Sequence, residues 1–296
     1  MYDLIIIGAG PAGCTAAIYA ARYHLKAIML YADMGQISYA HSVHNYPGIE
    51  EISGTELAMK MMQQAVRHGI DAKNEDVISV KKKGKYFAVK TSEGGSYESK
   101  AIILACGSKH RKLDAKGEKE FTGKGVSYCV TCDGPLFAGK EVAVAGSSDS
   151  AITAALMLAK YAKKVYILSR SGLKGEPVNV EQMSREKRIA AIQGVEIKEI
   201  KGERFVNSLR LSSGKELAVE GLFIEAGLEP SIGLAKQLKI KLDKGYIKAD
   251  SEQKTNEKGV FAAGNITNRT RLKQIVTAAG EGAIAANSAY RFLNKR

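Results

Sequence analysis

The sequence predicts an α/β protein of two Rossmann-like three-layer nucleotide-binding domains, the second inserted in the first. Three observations predict it. A glycine fingerprint stands between an apolar run and an Ala-rich stretch at the start of the chain. An altered copy of the same pattern follows residue 140. The final segments, rich in small residues, belong by pattern with the first copy rather than the second.

The opening "YDLIIIGAGPAGCTAAIYAARY" reads as strand, tight turn and helix. Gly8 permits the turn, Gly10 lets the backbone approach a pyrophosphate, and Gly13 allows close helix–strand packing, with phosphates held at the helix N-terminus. In that frame the Gly8-x-Gly10-x-x-Gly13 spacing is a specific signal. The ribose-binding acid expected at the end of the second strand is displaced: Tyr31 stands there and Asp33 follows two residues later.

The second copy, "KEVAVAGSSDSAITAALMLAKY", runs into the strand "KVYILSR". Gly146 and Ala151 hold the first and last fingerprint positions, while Ser148 fills the middle one, where a side chain limits approach to a pyrophosphate. The chain then returns through "GLFIEAGLEP", "GVFAAGNITN" and "QIVTAAGEGAIAANSAYRFL". The expected organisation is a discontinuous domain of residues 1–113 and 230–296, with residues 114–229 inserted as the second domain.

A chain of 296 residues with 45% apolar content can bury two cores. No apolar run reaches the roughly 20 residues of a membrane span, and no signal-peptide pattern opens the sequence, so a cytoplasmic location away from membranes is expected. The net charge of +13 has basic clusters at 80–85 and 108–119, but these lack interleaved aromatics or a DNA-binding motif. They read as a solvated lysine-rich face, and nucleic acid is not an expected partner.

Four cysteines are too few for a disulfide scaffold. Zinc would need two further ligands beside Cys129-x-x-Cys132, and neither Cys14 nor Cys106 has such company, so no metal is expected. Those two read as small core residues. The pair at 129 and 132 reads instead as a redox couple, with Asp133 placed to act as acid or base, because a dinucleotide site in the same chain supplies electrons.

Together, "GAGPAG", "HNYPG", "SYCVTCDGPLF", "GLFIEAGLEP" and "GVFAAGNITN…KQIVTAAGEGAIAA" resemble the low-molecular-weight thioredoxin reductases in order and spacing. The resemblance implies FAD on the first domain, a pyridine nucleotide and the redox disulfide on the second, and a homodimer. It implies FAD contacts from Gly8, Gly10, Pro11, Ala12 and Gly13, from Gly35, Gln36 and Asn45, and from the Val77 backbone. Ala105, Gly107, Gly264, Asn265, Gln274 and Ile275 complete that set. For the second nucleotide it points to Gly146, Ser148, Ala151, Arg170 and Lys174. Cys132 would take electrons from the flavin, Cys129 would attack the disulfide of thioredoxin or a glutaredoxin-like protein, and Asp133 would protonate the departing thiolate. Rotation of the inserted domain would serve both steps.

The chain departs from the family where "GGQ" reads Met34-Gly35-Gln36, where the aspartate of "AAGD" is Asn265, and where "HRR" reads Ser169-Arg170-Ser171. The loss of one arginine leaves Arg170, with Lys174, to meet a 2′-phosphate, so NADPH leads NADH by a small margin. Alternatives are ferredoxin or a reduced deazaflavin as donor, a flavin-dependent dithiol oxidase, and a flavin redox sensor without turnover.

Overall fold

The computed structural model describes residues 1–40 and 43–294. The chain forms two compact units, Met1–Lys109 with Pro230–Arg296, and His110–Glu229. Its first part runs β1 (Tyr2–Ile7), α1 (Pro11–Arg22), β2 (Ala27–Tyr31), α2 (Gly54–Arg67), β3 (Asp71–Asn74), β4 (Val77–Lys83), β5 (Tyr86–Thr91), β6 (Ser96–Leu104) and β7 (Ser108–His110). Then follow α3 (Glu118–Phe121), β8 (Val126–Ser127), α4 (Val130–Asp133), β9 (Glu141–Ala145), α5 (Asp149–Leu158), β10 (Lys164–Ser169), α6 (Pro177–Arg185) and β11 (Ile189–Gln193). The remainder is β12 (Ile197–Gly202), β13 (Val206–Leu211), β14 (Glu216–Ala218), β15 (Gly221–Ile224), β16 (Leu228–Pro230), α7 (Gly233–Gln237), β17 (Leu242–Asp243), β18 (Tyr246–Ile247), β19 (Val260–Ala262) and α8 (Ile275–Leu293).

In the first unit the sheet order is β3-β2-β1-β6-β5-β4, with β19 also paired to β6. β1 lies parallel between β2 and β6, at Ile5↔Ile28 and Ile5↔Ile102. A central parallel strand is covered on both faces, which is why "LIII" is a continuous apolar run rather than an alternating one. Leu4 and Ile6 join the small residues of α1 and α8 in one core, whereas Ile5 and Ile7 face the meander side with Val80, Phe87 and Val89. β6 is long enough to serve two layers: its first residues pair antiparallel with β5, and its last lie between β1 and β19.

The second unit has a parallel sheet, β11-β10-β9-β15-β8, and an antiparallel sheet, β12-β13-β14. Helix α5 covers one face through Ile152, Ala155 and Leu158 against Val142, Val144 and Ile167. The other face packs against the small sheet, where Ala143, Leu222 and Ile224 meet Ile200, Val206 and Leu209. Both units therefore have three layers. No helix among the described residues is long and apolar enough to cross a membrane.

Candidate functional site

The first glycine loop is built by close backbone approach. Gly8 adopts φ +111°, and a Cβ there would run into the Ala105 carbonyl. A Cβ at Gly13 would strike the Gly8 carbonyl, so the helix can lie this near the strand only with glycine at both places. Gly10 differs, with open space where its side chain would stand. It precedes α1, which begins on Pro11 and has no side-chain cap. First-turn amides without intrahelical partners beside an open glycine suit a pyrophosphate.

Other expected residues gather at the same sheet end. Gly35, at φ +80°, lies against the Gly10 backbone, and its N–H donates to Asp33 Oδ1 at 2.7 Å. The displaced Asp33 thus shapes this turn. Asn74, from β3, donates to the carbonyls of Tyr31 and Ala32. Gln36 Nε2 donates to the Ser108 carbonyl at 3.2 Å, while the buried Ser108 hydroxyl has no partner. Ala105 is buried after β6, and Gly107 takes φ +60°. Val77 starts β4 with its side chain in the meander-side core, leaving its backbone as the part available to a ligand.

Gly264, at φ +85°, packs on Ala12. Half-buried Asn265 follows it. Gln274 precedes Ile275 and α8, and its Oε1 accepts from Asn45 Nδ2 at 3.2 Å across 229 positions of sequence. One participant was not singled out from sequence. Glu281, buried on α8, accepts from the Gly264 N–H and the Thr267 hydroxyl, both at 2.8 Å. Burial raises its carboxyl above the usual range, opposed by those two hydrogen bonds. It holds the turn carrying Asn265. The open glycine, uncapped helix end and partnerless hydroxyl fit an FAD.

In the second unit Gly146 follows β9, and a Cβ there would meet the Glu225 carbonyl and Ala151. Gly146 and Ala151 are thus the close-packed ends of the loop. Ser148 precedes α5 without capping it; its hydroxyl lies 2.9 Å from that of Ser150. Ser169, at the end of β10, is buried with a partnerless hydroxyl. Arg170 is exposed and lies 3.7 Å from Glu196. Lys174 is also exposed, and its N–H donates to the Ser147 carbonyl at 2.7 Å. The uncapped α5 and the partnerless Ser169 hydroxyl fit a nucleotide, with a modest cationic provision.

Cys129 and Cys132 form a disulfide with Cα atoms 5.3 Å apart, at the start of α4. The Cys132 N–H points at Cys129 Sγ at 3.1 Å, and the Asp133 N–H reaches the Cys129 carbonyl at 3.1 Å. Buried Ser127 fixes the approach, its Oγ accepting from the Cys129 N–H at 3.0 Å. Cys129 is buried, Cys132 is exposed and Asp133 is half-buried. Burial pushes Cys14 and Cys106 up to about 12, so both remain thiols at neutral pH. No metal-holding cluster exists among the described residues.

A redox-capable disulfide in a chain with two fingerprint loops defines a class. The chain belongs to the pyridine nucleotide-disulphide oxidoreductase family, whose profile matches residues 2–282. Its relatives are thioredoxin reductases: it is 38% identical to that of Listeria monocytogenes, over 100% of this chain and 95% of the other. A solved thioredoxin reductase from Lactococcus lactis superposes with a TM-score of 0.95, at 36% identity and 100% coverage of both chains. That of T. acidophilum gives 0.90, at 35% identity over 98% of this chain and 97% of the other.

Proposed function

We propose that this chain is an FAD-dependent thioredoxin reductase that takes electrons from NADPH and delivers them through Cys129 and Cys132 to thioredoxin or a similar small dithiol protein. The observation that carries the reading is the Cys129–Cys132 disulfide on an α/β unit with its own dinucleotide-type loop.

Gly8, Gly10 and Gly13 would hold the FAD pyrophosphate on α1, with Asn265, Gln274, Asn45 and Gln36 around the remainder. When bound and reduced by NADPH, the flavin would supply the electron pair that opens the disulfide. Cys132, exposed, is the sulfur that receives it, and Cys129 is left as the nucleophile. Buried Cys129 has to be uncovered before it attacks. Its thiolate then forms a bond to one partner sulfur, and the other partner sulfur leaves as a thiolate that takes a proton from Asp133. Attack by Cys132 on Cys129 Sγ re-forms the internal disulfide and releases the partner's second thiol. Ser127 holds the Cys129 backbone during these exchanges. A homodimer and a cytoplasmic setting complete the reading.

The test is NADPH oxidation by the purified, FAD-loaded protein with oxidised thioredoxin. Thioredoxin-dependent turnover is expected, lost in the Cys129→Ser variant. Turnover with reduced ferredoxin but not NADPH would reassign the donor, and turnover in both single-cysteine variants would remove the disulfide from the reaction.

A further inference from the structure

We propose that Asp149 is a specificity-positioning residue of the second unit: its carboxylate straps the segment 173–176 along the first turn of α5, and so holds Lys174 beside the glycine loop to read a nucleotide 2′-phosphate. The inference rests on the assignment of that loop to a pyridine nucleotide and deepens it.

The strap follows β10 closely. In a βαβ nucleotide site the residues after the second strand meet the ribose, and a cation there accommodates a 2′-phosphate. β10 ends at Ser169, and the cations after it are Arg170 and Lys174. Arg170 shares its charge with Glu196 at 3.7 Å, whereas Lys174 stands exposed.

Each residue of the strap is tied down. Leu173 packs inward against the core beneath α5. The Lys174 N–H donates to the Ser147 carbonyl at 2.7 Å, which fixes Lys174 to the glycine loop itself. A Cβ at Gly175 would lie 2.6 Å from Ile152 Cδ1 and 2.9 Å from Asp149 Oδ1, so glycine lets the chain pass this near the helix. The Glu176 N–H donates to Asp149 Oδ1 at 2.7 Å. From α6, Asn179 Nδ2 donates to both carboxylate oxygens, at 3.0 and 3.1 Å. Asp149 is the first residue of α5, so one carboxylate joins the loop's helix, the strap and α6.

An exposed lysine on a free loop has to order that loop each time it binds a phosphate. With the strap in place only the side chain remains to be fixed. Removing the carboxylate should therefore weaken recognition of the 2′-phosphate through Lys174, although Asp149 need not touch the ligand. Asp149→Asn separates this role from that of charge. Its amide oxygen can accept from the Glu176 N–H, and its amide nitrogen can donate to the Asn179 oxygen once that amide turns over. Asp149→Ala removes the same charge together with the strap.

The test is calorimetric binding of 2′-phospho-ADP-ribose and of ADP-ribose to the FAD-loaded protein. The readout is the ratio of the two Kd values, in which effects on the shared pyrophosphate cancel. The unaltered protein and Asp149→Asn should favour the phosphorylated ligand about fivefold more than Lys174→Ala does, the scale of an exposed charge pair. Asp149→Ala should fall to the Lys174→Ala ratio, and combining the two should lower it no further, because both remove one contact. Gly175→Val, whose side chain forces the strap off α5 with Asp149 in place, should fall likewise and serves if Asp149→Ala does not fold. A ratio kept in Asp149→Ala or Gly175→Val would overturn the positioning role while leaving nucleotide binding intact. So would equal losses in Asp149→Asn and Asp149→Ala, a ratio unchanged in Lys174→Ala, or a double variant about twenty-fivefold below the unaltered protein, the product of two independent losses. Failure of the folded, yellow unaltered protein to bind either ligand would overturn the loop assignment and the strap's role together.

Discussion

At the residue scale, the two thiols have unequal surroundings, and the proposed division of labour predicts unequal variants. Cys132→Ser leaves Cys129 as nucleophile without its resolving partner, so a covalent mixed disulfide with thioredoxin should accumulate and be seen by intact-mass spectrometry. Cys129→Ser should give none; trapping by that variant instead would exchange the roles. Arg170 offers a second test. It and Lys198 both approach Glu196, so its charge toward a 2′-phosphate is partly spent. The pair is exposed and worth no more than about 1 kcal/mol. Glu196→Gln should therefore improve the NADPH-over-NADH ratio of kcat/KM by at most about fivefold. Glu225 also has a stability signature. Its folded pKa of about 7 lies above the ordinary 4.5, so the associated stability is present below about 4.5 and is lost as pH rises through 7. Glu225→Gln should match the unaltered protein near pH 4.5 and exceed it by about 1–3 kcal/mol near pH 8, measured by denaturant unfolding.

At the element scale, the FAD end of the first unit depends on α1 and α8 lying close together. A Cβ at Gly282 on α8 would drive into the Ala12 carbonyl on α1, and Ala12 also touches Gly264. Gly282→Ala must separate the helices or move the Gly264 turn, since backbone cannot yield as a flexible side chain does. Overpacking of this kind costs about 1–3 kcal/mol, and the variant should lose yellow colour on dialysis while the unaltered protein keeps it. Glu281→Gln tests the brace from the other side. An amide oxygen can still accept from Gly264 and Thr267, so FAD retention should survive it and fail in Glu281→Ala, which leaves both donors without their buried acceptor.

For the whole molecule, two units with separate cores predict separable responses to ligands. A ligand stabilises what it binds by about 2.7 kcal/mol at a hundredfold excess over its Kd. Added FAD should raise the melting transition that contains α1 and α8, and NADP⁺ the one that contains α5, each followed by hydrogen exchange of its own unit. An equal rise of both sets of amides with either ligand would show that the units unfold together.

The sequence by itself determined the features that are local in the chain: strand–glycine–helix turns, the apolar character of two-face-buried strands, and a thiol pair separated by two residues. Each is set by backbone sterics or periodicity within a dozen positions, so residue type and spacing suffice to expose it. The tertiary structure decided what depends on distant partners. Nothing near Glu281 in the chain signals that it holds Gly264 and Thr267. Asn45 meets Gln274 across 229 positions, and Glu225 comes alongside Gly146 only because β15 inserts beside β9. Asp33, two residues past the expected ribose-binding position, also shapes the Gly35 turn, a contact that its place in the sequence does not announce. Burial decided the rest: the same sequence letter is an inert thiol at Cys14 and a disulfide sulfur at Cys132, because one is desolvated inside a helix–sheet core and the other stands at the surface beside its partner.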